Sequence, residues 1–323
     1  MILTLTPNPS IDTTIVLKDE LTPGAVHRAE TVTQVAGGKG INVSHTAHLA
    51  GCPTLAIFPA RDDDPFRRLL DATGIPTSAV PMDDFCRVNT TVADPEGVTS
   101  KLNGAGPKLS AETITSLEME VARHAPAAEW VVFAGSLPGG VATKWYTDLI
   151  RVARRSNPTI KVAVDTSDAP LRSLSDNLAH AAPTLIKPNA TELGQLTGAD
   201  DDALEATAEA GDYSGIVTSA RTLTGRGIEK VLVTLGGAGA VLVTNDAAWA
   251  ATPPPVEKVA STVGAGDSAL TGFILANKAG HSPADALRNA VAFGSAAVTL
   301  PGTTLPTPSQ TDIEHTSVKH LDF

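Results

Sequence analysis

A short segment near residue 265 combines the features of an anion-binding site with a carboxylate. Residues 261–267 read Ser-Thr-Val-Gly-Ala-Gly-Asp and precede an apolar run that predicts a helix. Backbone N–H groups at a helix start are unpaired and attract anions, and Gly264 and Gly266 let a ligand approach them closely. Asp267 could take a proton from a substrate hydroxyl while these groups stabilise a transferring phosphoryl group. For this segment alone, an Asp that favours the helix dipole is the simpler interpretation.

A second glycine-rich loop, Gly37-Gly38-Lys39-Gly40, precedes another predicted helix, with Asn42 one turn into it. Its backbone could also approach a ligand, and Lys39 could hold a phosphate as a point charge. The loop is not a Walker loop, which needs the pattern Gly-x-x-x-x-Gly-Lys-Ser/Thr. A tight turn between a strand and a helix explains the glycines equally well.

Asp12 follows the turn Pro7-Asn8-Pro9 and is predicted to lie at the carboxyl end of the first strand, where open α/β sheets bind ligands. A carboxylate there can accept two sugar hydroxyls, although an Asx turn is the simpler interpretation. Arg28, Arg87 and Lys101 lie in predicted β segments. A phosphorylated substrate would need such a local basic cluster in an acidic chain, but each of these side chains taken alone is expected to be solvated.

Two loops that follow predicted strands could serve a metal ion and a nucleotide. Residues 187–192 read Lys-Pro-Asn-Ala-Thr-Glu, in which Asn189 and Glu192 could either reach a hydrated Mg²⁺ or form a capping box. The glycines of residues 234–240 would let a flat nucleotide lie against the backbone, or would form a hairpin turn. The dinucleotide pattern Gly-x-Gly-x-x-Gly is absent because position 242 is Leu.

The overall charge narrows the class of ligand. The chain has 24 Lys and Arg against 35 Asp and Glu, a net charge of −11, which argues against generic binding to nucleic acid or to an anionic membrane surface. Two cysteines cannot build a disulfide framework. The start of the chain lacks a signal-peptide pattern, and no apolar run approaches the ~18 residues of a membrane helix. We therefore expect a cytoplasmic protein with no nucleic-acid or membrane partner.

Strands that alternate with helices from residue 110 onward predict a doubly wound, mostly parallel sheet flanked by helices. The β-rich segments at about 11–35 and 84–103 do not fit this alternation. We interpret them as a small sheet over the edge of the main one, a lid, within a single domain spanning residues 1–323. The tail after Pro306 is polar and is expected to be loose.

Together these segments resemble the phosphofructokinase-B family of ribokinase-like carbohydrate kinases. The likeness rests on residues 36–44, residues 261–268, the Asn189–Glu192 motif and the loop at 234–239, and it extends from Thr4 to Thr303. The resemblance implies a ribokinase-like fold and an ATP-dependent sugar kinase with Asp267 as base. It implies that the anion site is formed by Gly264, Ala265 and Gly266.

The same resemblance implies where the cofactors bind. Mg²⁺ is expected near Asn189 and Glu192, mainly through water. ATP is expected beside Lys187, Asn189, Thr234, Gly236, Gly237, Gly239 and Gly266. A K⁺ site near the anion site stays open, because residues 300–304 depart from the pattern of the 6-phosphofructokinases, in which an Arg usually stands near Thr304.

Within the family, the motifs are most similar to those of kinases whose sugar already carries a phosphate. Lys39, Arg28, Arg87, Lys101 and Ser136 match positions that hold that phosphate, and Asp12, Gly38 and Asn42 match contacts to sugar hydroxyls. The resemblance implies fructose 1-phosphate as substrate and a homodimer that pairs through the lid. Fructose 6-phosphate and tagatose 6-phosphate are the alternatives within the family. A non-catalytic sugar-phosphate sensor and a nicotinamide-dependent oxidoreductase are the alternatives outside it.

Overall fold

The computed structural model describes residues 1–96 and 98–322. Within these residues the strands divide into a ten-stranded main sheet and a four-stranded small sheet. In chain order the strands are β1 (Ile2–Leu5), β2 (Ser10–Leu17), β3 (Ala29–Gly37), β4 (Thr54–Pro59), β5 (Thr77–Val80), β6 (Arg87–Ala93), β7 (Thr99–Asn103), β8 (Trp130–Ala134), β9 (Lys161–Asp165), β10 (Leu185–Ile186), β11 (Lys230–Thr234), β12 (Ala240–Val243), β13 (Ala248–Thr252) and β14 (Ser317–Leu321).

Helices connect the strands and pack on the main sheet, as the alternating pattern predicts. They are α1 (Lys39–Leu49), α2 (Pro65–Asp71), α3 (Ala111–His124), α4 (Trp145–Ser156), α5 (Asp168–Asp176), α6 (Ala190–Thr197), α7 (Asp201–Glu209), α8 (Ser214–Thr224), α9 (Ala265–Lys278) and α10 (Pro283–Thr299). No helix in the described part of the chain is long and apolar enough to cross a bilayer.

The main sheet has the order β14-β13-β12-β11-β10-β9-β8-β1-β4-β5. Its strands from β5 to β11 are parallel, and β12 to β14 extend it in antiparallel pairs. Every residue of β8 is buried, as expected for a central strand covered on both faces. The predicted mostly parallel α/β sheet flanked by helices, with a separate small β-sheet, is confirmed. The expectation of a loose tail is wrong at Ser317–Leu321, which pairs with β13 and forms the sheet edge.

The small sheet, which we call the lid, has the order β3-β2-β6-β7. It accounts for the two segments that did not fit the alternation, although Gly97, which falls between β6 and β7 in the sequence, lies outside the described residues. The prediction that Asp12 lies at the carboxyl end of the first main-sheet strand is wrong. The chain leaves the main sheet after β1, and Asp12 lies within β2, opposite Val35 of β3 and Asn89 of β6. Arg28 immediately precedes β3 rather than lying inside a strand.

The connections bring distant parts of the sequence to one edge of the main sheet. Strand β9 ends at Asp165, β11 ends at Thr234, and Lys187 directly follows β10. Helices α1 and α9 pack against each other, so their first turns also meet at this edge. The carboxyl ends of parallel strands are where open α/β sheets bind ligands.

Candidate active site

Asp267 lies in the first turn of α9, which begins at Ala265. Gly264 precedes the helix with a φ of 78°, a left-handed conformation that favours glycine. The Asp267 side chain is only 6% exposed, and its Oδ2 accepts a hydrogen bond from Nδ2 of Asn42 at 2.7 Å. Two residues that the sequence analysis selected from separate motifs, 225 positions apart, are thus in direct contact.

The surroundings of Asp267 prepare it to accept a proton. Burial raises the pKa of its carboxyl group to about 6, and the negative charge of Asp165 adds to this rise. Lys39, the hydrogen bond from Asn42 and Lys187 act in the opposite direction. A general base is most effective when its pKa lies near the working pH, so this carboxylate is suited to proton transfer.

Asp165 is a charged residue of this site that the sequence analysis missed. Its side chain has no exposed surface, and it forms ion pairs with Nζ of Lys39 at 2.8 Å and with Nζ of Lys187 at 3.3 Å. Although burial opposes ionisation, the two lysines hold the pKa of Asp165 below its usual range. A signal was present in the sequence, since a carboxylate ends a buried parallel strand at the ligand-binding edge.

Lys39 is joined to the core rather than to the lid. Burial lowers its pKa, but Asp165, Asp267 and Glu192 together raise that pKa above its usual range. Among the described residues its ion pair is with Asp165. That it joins Arg28, Arg87 and Lys101 around a sugar phosphate stays a prediction. About a third of its side chain remains exposed, at 36%.

The three cations predicted in the lid differ in their surroundings. Arg87 is partly buried at the start of β6, and its Nη1 donates a hydrogen bond to the carbonyl of Gly104 at 3.2 Å. Burial lowers the pKa of Arg87, and the charge of Asp12 opposes that effect. Its Nε is buried without a hydrogen-bond partner among the described residues. Arg28 and Lys101 are exposed, in agreement with the simpler expectation that each of these side chains is solvated.

Asp12 is held by a hydrogen-bond network within the lid. Its Oδ1 accepts bonds from Oγ of Ser10 at 2.7 Å and from Nδ2 of Asn89 at 2.9 Å. A Cβ atom on Gly37 would collide with this carboxylate, so the glycine is required by close approach. Asn89 was also missed, and its own Oδ1 is buried without a partner among the described residues. Strand register, which the sequence does not display, places it opposite Asp12.

Two further predicted sugar contacts lie near the junction of lid and main sheet. Oγ of Ser136 accepts a hydrogen bond from Nδ2 of Asn8 at 3.2 Å, and that amide also donates to the carbonyl of Ala105 at 3.3 Å. Gly38 has a φ of 126°, and a Cβ there would lie 2.7 Å from Cγ2 of Thr6. Its glycine is therefore needed for both conformation and space.

Asn189 and Glu192 form the capping box that the sequence allowed. Oδ1 of Asn189 accepts from the backbone N–H of Glu192 at 2.7 Å, and Oε2 of Glu192 accepts from that of Asn189 at 3.0 Å. Oε1 of Glu192 takes no part in the capping box, and the charge of this residue reaches the site, since it raises the pKa of Lys39. No cluster of three or more His, Cys, Asp or Glu in the described chain could hold a metal. The single carboxylate of Glu192 beside the amide of Asn189 fits Mg²⁺, which binds few carboxylates plus phosphate oxygens and water.

The predicted nucleotide loop and the anion site line one cavity. It has a volume of about 650 Å³, and its wall also includes residues 253–256 and part of α10. The hairpin turn that the sequence allowed is confirmed, because residues 236–238 connect the antiparallel strands β11 and β12. Nucleotide binding at this loop stays a prediction. The lining residues shared with the sequence prediction are Thr234, Gly236, Gly237, Gly239, Ala265 and Gly266.

The chain is similar to carbohydrate kinases over nearly its whole length. Residues 6–310 match the pfkB family of carbohydrate kinases. A 1-phosphofructokinase of Haloferax volcanii is 37% identical over 326 residues, covering 99% of this chain and 99% of its own. The ATP-dependent 6-phosphofructokinase isozyme 2 of Escherichia coli is 34% identical over 312 residues, covering 94% of both chains.

A solved structure of a phosphofructokinase has a similar fold. Phosphofructokinase-2 from Escherichia coli in complex with potassium has a TM-score of 0.85 and 31% identity, covering 96% of each chain. The predicted class of enzyme, an ATP-dependent sugar kinase, is confirmed. With a family match over residues 6–310, the motifs at both glycine loops and the same fold, the chain belongs to the pfkB family of carbohydrate kinases.

Proposed function

We propose that this chain phosphorylates fructose 1-phosphate at its 6-hydroxyl with ATP, giving fructose 1,6-bisphosphate and ADP. The observation that carries the proposal is the position of Asp267. It accepts a hydrogen bond from Asn42 of α1 and directly follows Ala265 and Gly266 of the anion site, which line the cavity. The choice of sugar is supported by the extended similarity to the Haloferax volcanii 1-phosphofructokinase.

In the proposed reaction Asp267 takes the proton of the 6-hydroxyl as that oxygen bonds to the γ-phosphorus of ATP and ADP leaves. The N–H groups of Gly264, Ala265 and Gly266 stabilise the charge on the transferring phosphoryl oxygens. The nucleotide lies in the cavity against Thr234, Gly236, Gly237, Gly239 and Gly266. Lys187 and Asn189, which do not line this cavity, complete the proposed nucleotide-binding residues. Mg²⁺ bound through water at Asn189 and Glu192 would neutralise phosphate charge.

The sugar lies between the main sheet and the lid in this proposal. Asp12, Gly38 and Asn42 bind the middle hydroxyls, and Asp12 is already oriented by two hydrogen bonds. The existing phosphate is held by cations and a hydroxyl, which are Lys39, Arg28, Arg87, Lys101 and Ser136. The half-buried Arg87, which lacks a carboxylate hydrogen-bonded to it among the described residues, is the member best prepared for an anion. Closure of the lid would bring Arg28 and Lys101 to the phosphate.

A second candidate substrate is fructose 6-phosphate, which the similarity to the Escherichia coli 6-phosphofructokinase isozyme 2 favours. Tagatose 6-phosphate is the third. The Escherichia coli structure that contains potassium makes K⁺ an ion to test beside Mg²⁺. We further propose a single kinase domain that pairs as a homodimer through the lid, in the cytoplasm.

The deciding experiment compares kcat/KM for fructose 1-phosphate, fructose 6-phosphate, tagatose 6-phosphate and unphosphorylated fructose, with and without K⁺. We expect the highest value for fructose 1-phosphate and a loss of kcat as well as affinity when the phosphate is absent, because distant binding energy positions the reacting hydroxyl. A preference for either 6-phosphate would overturn the assigned sugar. Sugar-phosphate binding without any turnover would make the chain a sensor instead.

A further inference from the structure

We propose that Asp165 is a positioning residue for phosphoryl transfer, which holds the ammonium groups of Lys39 and Lys187 beside Asp267 and the start of α9. The inference rests on the proposed function and deepens it. Asp165 has no exposed side-chain surface, so it cannot itself contact an incoming sugar or nucleotide. Any effect on the reaction must therefore pass through neighbouring groups, either by contact with Lys39 and Lys187 or through its charge acting on Asp267.

The geometry makes Asp165 the shared partner of two cations from different elements. Its Oδ1 is 2.8 Å from Nζ of Lys39, in the first residue of α1, and its Oδ2 is 3.3 Å from Nζ of Lys187, after β10. A flexible lysine side chain loses considerable rotamer freedom when it is fixed. The buried carboxylate at the end of β9 supplies the interaction that keeps both ammonium groups at the ligand-binding edge of the sheet.

Lys187 gives a separate indication that an anion belongs at this point. A Cβ atom on Gly266 would lie 3.1 Å from Nζ of Lys187, so the ammonium group lies against the first turn of α9. The positive end of a helix dipole repels a cation, and Lys187 is only 7% exposed, so water screens this repulsion poorly. A negatively charged phosphoryl group between the lysine and the helix start would convert that repulsion into two attractions.

The formal charges of the cluster also suit the transfer. Asp165 and Asp267 balance Lys39 and Lys187 while both carboxylates are ionised. When Asp267 takes the proton of the sugar hydroxyl, the cluster gains one positive charge beside the phosphoryl group. Asp165 remains ionised through this step because its two lysine partners hold its pKa down.

Asp165 has a second, measurable effect on Asp267. The groups that act on the Asp267 carboxylate are Asp165, Lys39, Lys187 and Asn42, of which only Asp165 raises the pKa in addition to burial. Replacing Asp165 with Asn removes that negative charge and leaves the lysines, so the pKa of Asp267 should fall. The acid limb of the pH–rate profile should then move to lower pH.

The test is a double-mutant cycle of Asp165→Asn, Lys187→Met and the combination of both. We expect Asp165→Asn to lower kcat about 100-fold, as for loss of one aligned electrostatic donor, with a smaller change in the KM for sugar. If Asp165 acts through Lys187, the double variant should lose little more than Lys187→Met alone. Losses that multiply would contradict the proposal, as would an unchanged acid limb with kcat within about threefold of the parent.

Asp64→Asn is the matched control, since Asp64 is also a buried carboxylate, 2% exposed, but bonds to backbone N–H groups of Phe66 and Cys86 away from this cluster. It should lower the melting temperature without moving the acid limb. Asp165→Ser replaces Asp165→Asn if the latter does not fold.

A titration with ATP and Mg²⁺ is independent of the sugar and separates this inference from the assigned substrate. Asp165→Asn and Lys187→Met should both weaken nucleotide binding, and parental nucleotide affinity in both would overturn the positioning role. Turnover of a sugar other than fructose 1-phosphate would overturn only the assigned substrate.

Discussion

The charged groups at the carboxyl edge of the main sheet, which we call the core edge, and those of the lid differ in how they are held. At the core edge, Asp165 and Asp267 are buried and already bonded to Lys39 and Asn42. In the lid, Arg28 and Lys101 are exposed, and Arg87 is bonded to a backbone carbonyl. The core groups need little rearrangement before reaction, which is the arrangement that stabilises a transition state most effectively. We expect the exposed cations Arg28 and Lys101 to become ordered when an anion reaches them.

The contrast separates chemistry from recognition. Substitutions at the core edge should lower kcat for every sugar, because they alter groups that act on the transferring phosphoryl group. Substitutions in the lid should act mainly through kcat/KM and should change the ranking of sugars.

Asp267→Asn should reduce kcat by about 10²- to 10⁴-fold, because the variant cannot accept the proton of the sugar hydroxyl. Nucleotide binding should remain close to that of the parent chain. Asp285→Asn is a matched control, since Asp285 also lies in the first turn of its helix, α10, but is bonded to Ser282 and Arg288. Stopped-flow or coupled-assay turnover near that of the parent would remove Asp267 from the role of base.

Arg87→Ala should lower kcat/KM for fructose 1-phosphate by about 10- to 100-fold, the value of one charge-assisted bond to the existing phosphate. The effect on unphosphorylated fructose should be small, because that sugar offers no phosphate to bind. Arg67→Ala, which removes a partly exposed arginine paired with Asp62, serves as the control. Equal losses for both sugars would mean that Arg87 supports the lid rather than the phosphate.

The sequence predicted that Asp267 lies in the first turn of a helix, that the glycine loops precede helices, and that residues 189–192 form a capping box. Each of these is a local motif of a few adjacent residues. The sequence did not identify Asp165, whose partner Lys39 is 126 positions away, or Asn89, which meets Asp12 across 77 positions through strand register. The same limit misplaced Asp12, since β1 ends before the turn at residues 7–9 and the chain then enters β2 of the small sheet, which contains Asp12. Pairings made by topology cannot be read from adjacent residues, and the one local signal for Asp165 is its position at the end of a buried strand.

Glu192→Gln should raise the Mg²⁺ concentration for half-maximal rate by about tenfold, as for loss of a group that orients metal-bound water. Gln can replace Glu in a capping box, so the melting temperature should change little. A Mg²⁺ titration at saturating ATP and sugar makes the measurement. An unchanged titration would leave Glu192 with the capping role alone.

The activity should also fall at acid pH as Asp267 becomes protonated. Because burial and Asp165 raise the pKa of Asp267 to about 6, kcat/KM should decrease about tenfold per pH unit below that value. The same shift means that the folded state binds this proton more tightly than the unfolded state. The stabilisation of the folded state by the proton on Asp267 is complete below about pH 4 and is lost as the pH rises through about 6.

Asp267→Asn has no such proton, so its stability relative to the parent should increase between about pH 4 and pH 7, on the order of 2–3 kcal/mol by linkage. Urea denaturation of both proteins at the two pH values measures this difference. A constant difference in the free energy of unfolding would show that Asp267 has an ordinary pKa in the folded state. It would also remove the electrostatic contrast between core edge and lid.

The smallest expected effect tests whether the lid is completed by a second copy. Val32 of β3 is 58% exposed and Leu102 of β7 is 64% exposed, unusual for apolar side chains on a thin four-stranded sheet. Val32→Lys should shift sedimentation toward monomer and raise the KM for the sugar a few-fold, since an unpaired lid is less ordered. Turnover at saturating substrate should change little, because the core groups are already assembled. Met119→Lys on α3, with the same 58% exposure of the parent side chain, controls for added charge. If the parent chain is monomeric at working concentration, the lid orders around the sugar without a partner, and its exposed apolar residues need another explanation.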